Sequence, residues 1–247
     1  MSPLEGKAVF VAGAGTGMGL ATAIMAAQAG ANVLIFGRRI ETLEKANEQI
    51  AAAGRGQSSF YAGDATREDE VRAAVEVCCS RYGRVDVAVN SVGTNVRERS
   101  LSQLTSSSWN DLITGNLGAA YAITQGVLPT FRLQRSGLLI HISSSAAKKA
   151  DGSGAGYQAS KAGVAALAAA TMLAERSNGV RVTVLFPVVT NTPFIAKRPT
   201  PPPEAELAQG RTPSDTGRTC GGVVSMPPAR DGPGMTTGTT NPSTTHT

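Results

Sequence analysis

Over its first 197 residues the chain alternates short apolar runs with longer helical patterns, and this alternation restricts the fold more than any other feature. The runs at 7–12, 32–36, 58–61, 85–89, 138–142 and 180–186 have the length and composition of strands buried on both faces. Between them, 17–29, 40–53, 68–82, 106–133 and 156–177 read as helices. A strand, a helix and a second strand of one sheet pack as a right-handed parallel crossover. The pattern predicts an α/β domain with a doubly wound parallel sheet and helices on both faces. The fourth helix is long enough to bend near Gly115 or Gly118, and again near Pro129.

The alternation stops near Lys197. The chain therefore divides into an α/β domain, 1–197, and a tail, 198–247. Nine of the thirteen prolines and eleven threonines fall in the tail, where only Leu207, Val223, Val224, Met226 and Met235 are large and apolar. Such a segment buries too little surface to offset the entropy of ordering, so it is expected to be irregular or disordered. No C-terminal seventh strand is recognisable in it. Its four arginines balance its four carboxylates, so the net charge of +5 belongs to the first 197 residues.

That charge reads as an ordinary solvated surface, or as attraction for an anionic ligand. Basic residues form no long run with interleaved aromatics, which argues against nucleic acid. Cys78, Cys79 and Cys220 are an odd set that includes an adjacent pair. This suits a reducing compartment better than a disulfide framework, and no metal-ligand spacing is present. Met1 leads almost directly into the first strand, and no apolar run approaches the ~20 residues of a membrane span. A cytoplasmic location away from membranes is expected.

The first strand runs into Gly13-Ala14-Gly15-Thr16-Gly17-Met18-Gly19 and then a helix. Strand, glycine turn and helix N-terminus make a Rossmann-type phosphate site: glycines admit the pyrophosphate, and free amides and the helix dipole favour its charge. Gly13, Gly15, Thr16, Gly17, Met18 and Gly19 are the candidate contacts. The second strand ends in Phe36-Gly37-Arg38-Arg39. An acidic ribose ligand, usual for NAD, is replaced by Gly37 and followed by two guanidinium groups suited to a 2′-phosphate. Arg38 and Arg39 therefore favour NADP(H) over NAD(H). Asp64, followed by Ala65, is placed to reach the adenine, although an Asp after a strand also serves as a turn or cap residue.

Tyr157 and Lys161 stand at i and i+4, on one helical face. A free tyrosine has a pKa of ~10, so to act as a base near neutrality its hydroxyl must be made more acidic by about a thousandfold. A neighbouring ammonium supplies part of that field. Alone, such a pair would read as surface residues. Here Ser144 lies thirteen residues before Tyr157 at the end of the fifth strand, Asn116 sits in the preceding helix, and Asn90-Ser91-Val92-Gly93 ends the fourth strand. Asn90 can brace the sheet there.

With these motifs the chain resembles the short-chain dehydrogenase/reductase family over about residues 6–194. The resemblance implies a nicotinamide cofactor and a dimer or tetramer. It makes Tyr157 the general acid/base, Ser144 the holder of the substrate oxygen and Lys161 the ligand of the nicotinamide ribose. Asn116 would hold a water in the proton relay. Asn90, Gly93, Tyr157, Lys161, Pro187, Val189 and Thr192 join the expected cofactor contacts, Thr192 at the carboxamide. The implied activity interconverts a small-molecule carbonyl and a secondary alcohol. Alanine-rich helix faces at Ala165, Ala166, Ala168 and Ala169 suit a homodimer, or a tetramer if the tail folds.

Several positions depart from the family pattern. Ser91 and Val92 replace Asn and Ala. Val188 replaces a glycine after Pro187, where a β-branched residue tolerates positive φ badly and would crowd the nicotinamide pocket. The tail lacks the family's closing helix and strand, a composition that a shifted reading frame would also produce. A nucleotide-binding regulatory protein, or an inactive truncation product, are the other readings. Arg97, Arg99, Lys148 and Lys149 fall in loops near the expected pocket mouth and would favour an acidic or hydroxylated substrate.

Overall fold

The computed structural model describes residues 4–188, 190–197, 212–225 and 237–238. Six parallel strands form the body of the sheet: β1 (Ala8–Ala12), β2 (Asn32–Gly37), β3 (Ser58–Ala62), β4 (Val87–Asn90), β5 (Gly137–Ile142) and β6 (Val180–Leu185). A two-residue strand, β7 (Thr237–Gly238), pairs in parallel with β6 and completes the order β3-β2-β1-β4-β5-β6-β7. The order reverses between β1 and β4, and in such sheets ligands bind beyond the strand ends at that crevice. Gly13 and Ser91, which follow β1 and β4, meet there.

Strand residues alternate between two cores because successive side chains point to opposite faces. Phe10, Leu34, Phe36 and Leu139 pack beneath α3 (Glu68–Tyr82), α5 (Ala119–Gln134) and α6 (Ala155–Glu175), with Val71, Ile123 and Phe131. Val9, Val11, Ile35 and Ile140 pack on the other face, beneath α1 (Gly17–Gln28) and α2 (Ile40–Ala53), with Leu43 and Ile50. Helix ends follow local chemistry. Glu68, Asp69 and Glu70 occupy the first turn of α3, where the dipole favours them, and Gly83 ends it at φ 78° in the left-handed region.

The long fourth helix is divided as its glycines suggest. α4 (Ser106–Leu112) begins at Thr105, whose side chain accepts from Ser108 N. It passes into a π-helical stretch, Ile113–Gly118, and then α5, which contains Pro129. A π segment widens the helix and often marks a functional site; this one carries the buried Asn116. Arg132 of α5 grips Glu175 of α6 through two nitrogens, with Nε donating to Oε2 at 2.9 Å.

The irregular tail expected after Lys197 needs correction over Pro213–Ser225. These residues form α7, which lies along α1 and buries Cys220 in the second core. The local signal is present in the sequence: Thr212 precedes Pro213, and the Asp215 carboxylate reaches back to accept from Thr212 N at 2.7 Å. That is the acidic half of a capping box, with proline at the first helical position. The Arg218 guanidinium, then Thr212, hold the Asp215 carboxyl down to about 2. No described helix is long and apolar enough to cross a membrane.

Candidate active site

The glycine turn is shaped by backbone contact. Gly13 (φ 78°) donates to Phe36 O at 2.8 Å, and a Cβ on it would stand 2.8 Å from the Ser91 carbonyl carbon. A Cβ on Gly19 would stand 2.3 Å from Gly13 O. Both positions exclude any side chain. Thr16 begins α1 without a side-chain cap, so its hydroxyl satisfies none of the free amides of the first turn. Thr192 stands against Gly17, with its Cβ 3.5 Å from where a Gly17 Cβ would lie. Gly15 faces Thr42 of α2. The turn therefore provides a backbone cradle for an anionic ligand at the crevice where the strand order reverses.

Arg38 and Arg39 are exposed at the end of β2, and neither is in an ion pair among the described residues. Asp64 uses one carboxylate oxygen in a turn, accepting from Thr66 N and Oγ1, both at 2.9 Å. Its second oxygen faces no described donor. Ala65 beside it is buried.

Lys161 is the most constrained group of the site. It is buried, and its Nζ donates to Ile142 O at 3.1 Å and to Val92 O at 3.5 Å. Burial pushes its ammonium down to about 8. The Nζ lies 5.9 Å from the centre of the Tyr157 ring, and Tyr157 packs against Phe194 at 6.1 Å. Gly93 lets the pieces meet: a Cβ there would stand 3.2 Å from Lys161 Nζ and 3.3 Å from Asn116 Oδ1.

Asn116 spends its amide on structure. Oδ1 accepts from Thr94 N at 2.7 Å, and Nδ2 donates to Thr94 O at 3.1 Å and to Ser160 Oγ at 3.0 Å. Asn90 braces two strands: Nδ2 meets His141 Nδ1 at 3.1 Å, and Oδ1 accepts from Val92 N at 3.0 Å. The ends of β5 and β6 continue to pair beyond the strands, Ser145 N donating to Pro187 O at 3.0 Å, which sets Ser144 beside Pro187. Ser144 Oγ accepts from Ala146 N at 3.2 Å, so its own hydrogen stays available.

One sequence expectation changes here. Val188 does not adopt positive φ; Arg135 is the one non-glycine residue that does among those described. Val188 is 42% exposed. Val189 lies outside the described residues. Of the basic loop residues, Arg97 and Lys149 are exposed, Arg99 is buried, and Lys148 Nζ sits 4.1 Å above the Phe186 ring. The sequence motifs do not single out Ser160, His141 and Thr124, which the fold adds to the site. Ser160 stands directly before Lys161 and three residues after Tyr157, a spacing that places it on the buried side of the same helix.

The family model for short chain dehydrogenases matches residues 7–202. The chain belongs to that family. It is an oxidoreductase, and members of the family use a nicotinamide dinucleotide. Among curated relatives, it is 31% identical over 209 residues to the 3-oxoacyl-acyl-carrier-protein reductase of Thermotoga maritima, covering 83% of each chain. It is 28% identical over 191 residues to the cyclohexanol dehydrogenase of an Acinetobacter species, covering 77% of this chain and 76% of the relative. A solved metagenomic short-chain oxidoreductase in complex with NADP superposes with TM-score 0.77 at 28% identity, covering 92% of this chain and 93% of that one. Levodione reductase shares the fold at TM-score 0.84 and 22% identity, with 90% and 91% covered.

Proposed function

We propose that this short-chain dehydrogenase interconverts a carbonyl and a secondary alcohol with NADP(H), Tyr157 acting as general acid/base. The observation that carries the reading is the meeting of Lys161, Asn116 and the Tyr157 helix around Gly93, beside the open α1 N-terminus. A bound nicotinamide dinucleotide supplies hydride exchange with the substrate carbon. Everything else falls to side chains of this chain. Ser144 Oγ already accepts from Ala146, so its hydrogen can hold the substrate oxygen. In reduction Tyr157 Oη gives its proton to that oxygen; in oxidation it takes the proton back.

Lys161 has three donors, of which Ile142 O and Val92 O occupy two. The third suits a ribose hydroxyl, and the ammonium favours the tyrosinate. Asn116 fixes the loop at Thr94 and, through Ser160, the helix that carries Tyr157. Gly13, Gly15, Thr16, Gly17, Met18 and Gly19 would hold the pyrophosphate, with Asp64 and Ala65 at the adenine and Asn90, Gly93, Pro187 and Thr192 around the nicotinamide half. The guanidinium groups of Arg38 and Arg39, in no ion pair among the described residues, support a 2′-phosphate, as does the NADP bound to the metagenomic relative. Leu133 and Leu173, exposed on α5 and α6, support a homodimer through these helices, and three free thiols suit the cytosol.

Tyr157→Phe tests the assignment. It keeps the ring and its contact with Phe194. NADPH binding should persist while carbonyl reduction falls by about 10²–10⁴, the range for a general acid/base. Near-parent turnover of any substrate by this variant would end the proposal.

A further inference from the structure

His141 is one of two histidines in the chain and lies wholly buried in β5, where the reaction described above does not use it. Both ring nitrogens have partners: Nδ1 is 3.1 Å from Asn90 Nδ2, and Nε2 is 3.4 Å from Thr124 Oγ1. These partners determine where the ring carries hydrogen. Val92 N donates to Asn90 Oδ1, so Asn90 must turn its amide nitrogen, a donor, toward Nδ1. Nδ1 then accepts, and a neutral ring carries its hydrogen on Nε2. Thr124 can receive it, because its own hydroxyl hydrogen goes to Ala120 O at 2.7 Å. A charged ring would set two donors against each other at Nδ1. Burial, and then the charge of Lys161, push the imidazole down to about 3.

The chain of contacts leads to the active site. Lys161 Nζ donates to two carbonyls, those of Ile142 and Val92. Ile142 follows His141 in β5, and Val92 is the residue whose N–H Asn90 holds. We propose that His141 is a positioning residue for Lys161: by accepting from Asn90 it fixes the turn at 90–93 that presents the Val92 carbonyl to the ammonium. The proposal rests on the reading of Lys161 as a ribose ligand.

His141→Asn and His141→Leu test it in the full chain. The two new side chains have the same shape, but the amide oxygen of asparagine can replace Nδ1 as acceptor and leucine cannot. The leucine variant should raise KM for NADPH by about tenfold or more, the size expected from one buried donor left unpaired, and lower kcat. The asparagine variant should stay within about threefold of the parent KM. A merely structural role lowers the active fraction, hence apparent kcat, and leaves KM alone. Equal KM in both variants, with Lys161→Ala still raising it, overturns the proposal alone. A Lys161→Ala chain with the parent KM overturns the ribose assignment and this proposal with it. If neither His141 variant folds, long-range ¹H–¹⁵N spectra of the parent decide, with His246 substituted to leave one imidazole. Hydrogen on Nε2 supports the proposal; hydrogen on Nδ1 overturns it.

Discussion

Asn116 Nδ2 donates to Ser160 Oγ at 3.0 Å, and Ser160 Oγ donates in turn to Tyr157 O at 2.8 Å. One hydroxyl thus ties the π-helical stretch to the helix that carries Tyr157 and Lys161. Ser160→Ala removes the tie and leaves Asn116 Nδ2 with Thr94 O as its one described acceptor. A stability loss of about 1–2 kcal/mol is expected, together with reduced turnover. Urea unfolding and steady-state kinetics measure the two effects. Unchanged turnover would show that the rest of the helix holds Tyr157 without this link.

The proposed preference for NADP(H) rests on Arg38 and Arg39. Charge-assisted hydrogen bonds are worth about 1.5–3 kcal/mol each, so replacing both with alanine should weaken NADPH by about 10-fold or more. NADH, which has no 2′-phosphate, should change little. Titration of both cofactors by fluorescence checks this, and equal losses for the two would contradict the assignment.

Lys161 makes stability depend on pH. Its folded value lies at about 8 against 10.5 for a free lysine. Between those values the unfolded chain binds the extra proton, so this group makes stability rise with pH there. Below the window the parent bears the full cost of a buried ammonium, on the order of 3 kcal/mol. Lys161→Met should therefore gain stability relative to the parent at pH 7, and the advantage should shrink as the pH is raised through the window. Unfolding curves at pH 7 and pH 10 test it; a constant difference would argue against a lowered Lys161 value. NADPH affinity should fall in the same variant.

Gly19→Ala should be tolerated poorly, although alanine suits helices in general. The added Cβ would stand 2.3 Å from Gly13 O, a backbone atom that cannot move without displacing the turn. A loss of more than about 2 kcal/mol and a failure to bind either cofactor are expected. Parent-like binding would mean that the turn relaxes more freely than its packing suggests.

Cys220 tests whether α7 belongs to the fold. It is 1% exposed against α1, and burial pushes its thiol up to about 12. Cys220→Asp would bury a carboxylate among the apolar residues of the second core, so a drop in stability of several kcal/mol is expected. Thermal unfolding unchanged from the parent would show that α7 contributes little to the core.

The sequence by itself determined what is encoded locally. Strand and helix periods, the glycine turn before α1 and the spacing of Ser144, Tyr157 and Lys161 involve neighbours along the chain, so the fold class was readable from them and a candidate site could be proposed. The capping signal at Thr212, Pro213 and Asp215 was equally local, but the surrounding proline and threonine content obscured it. Tertiary structure alone decided which distant groups share a hydrogen bond. Asn116 meets Thr94 and Ser160, His141 meets Asn90 and Thr124, and Cys220 docks on α1. It also gave Val188 a backbone without positive φ, which composition and spacing could not indicate. A buried amide or imidazole must find partners wherever packing brings them, and packing joins residues that no sequence period relates.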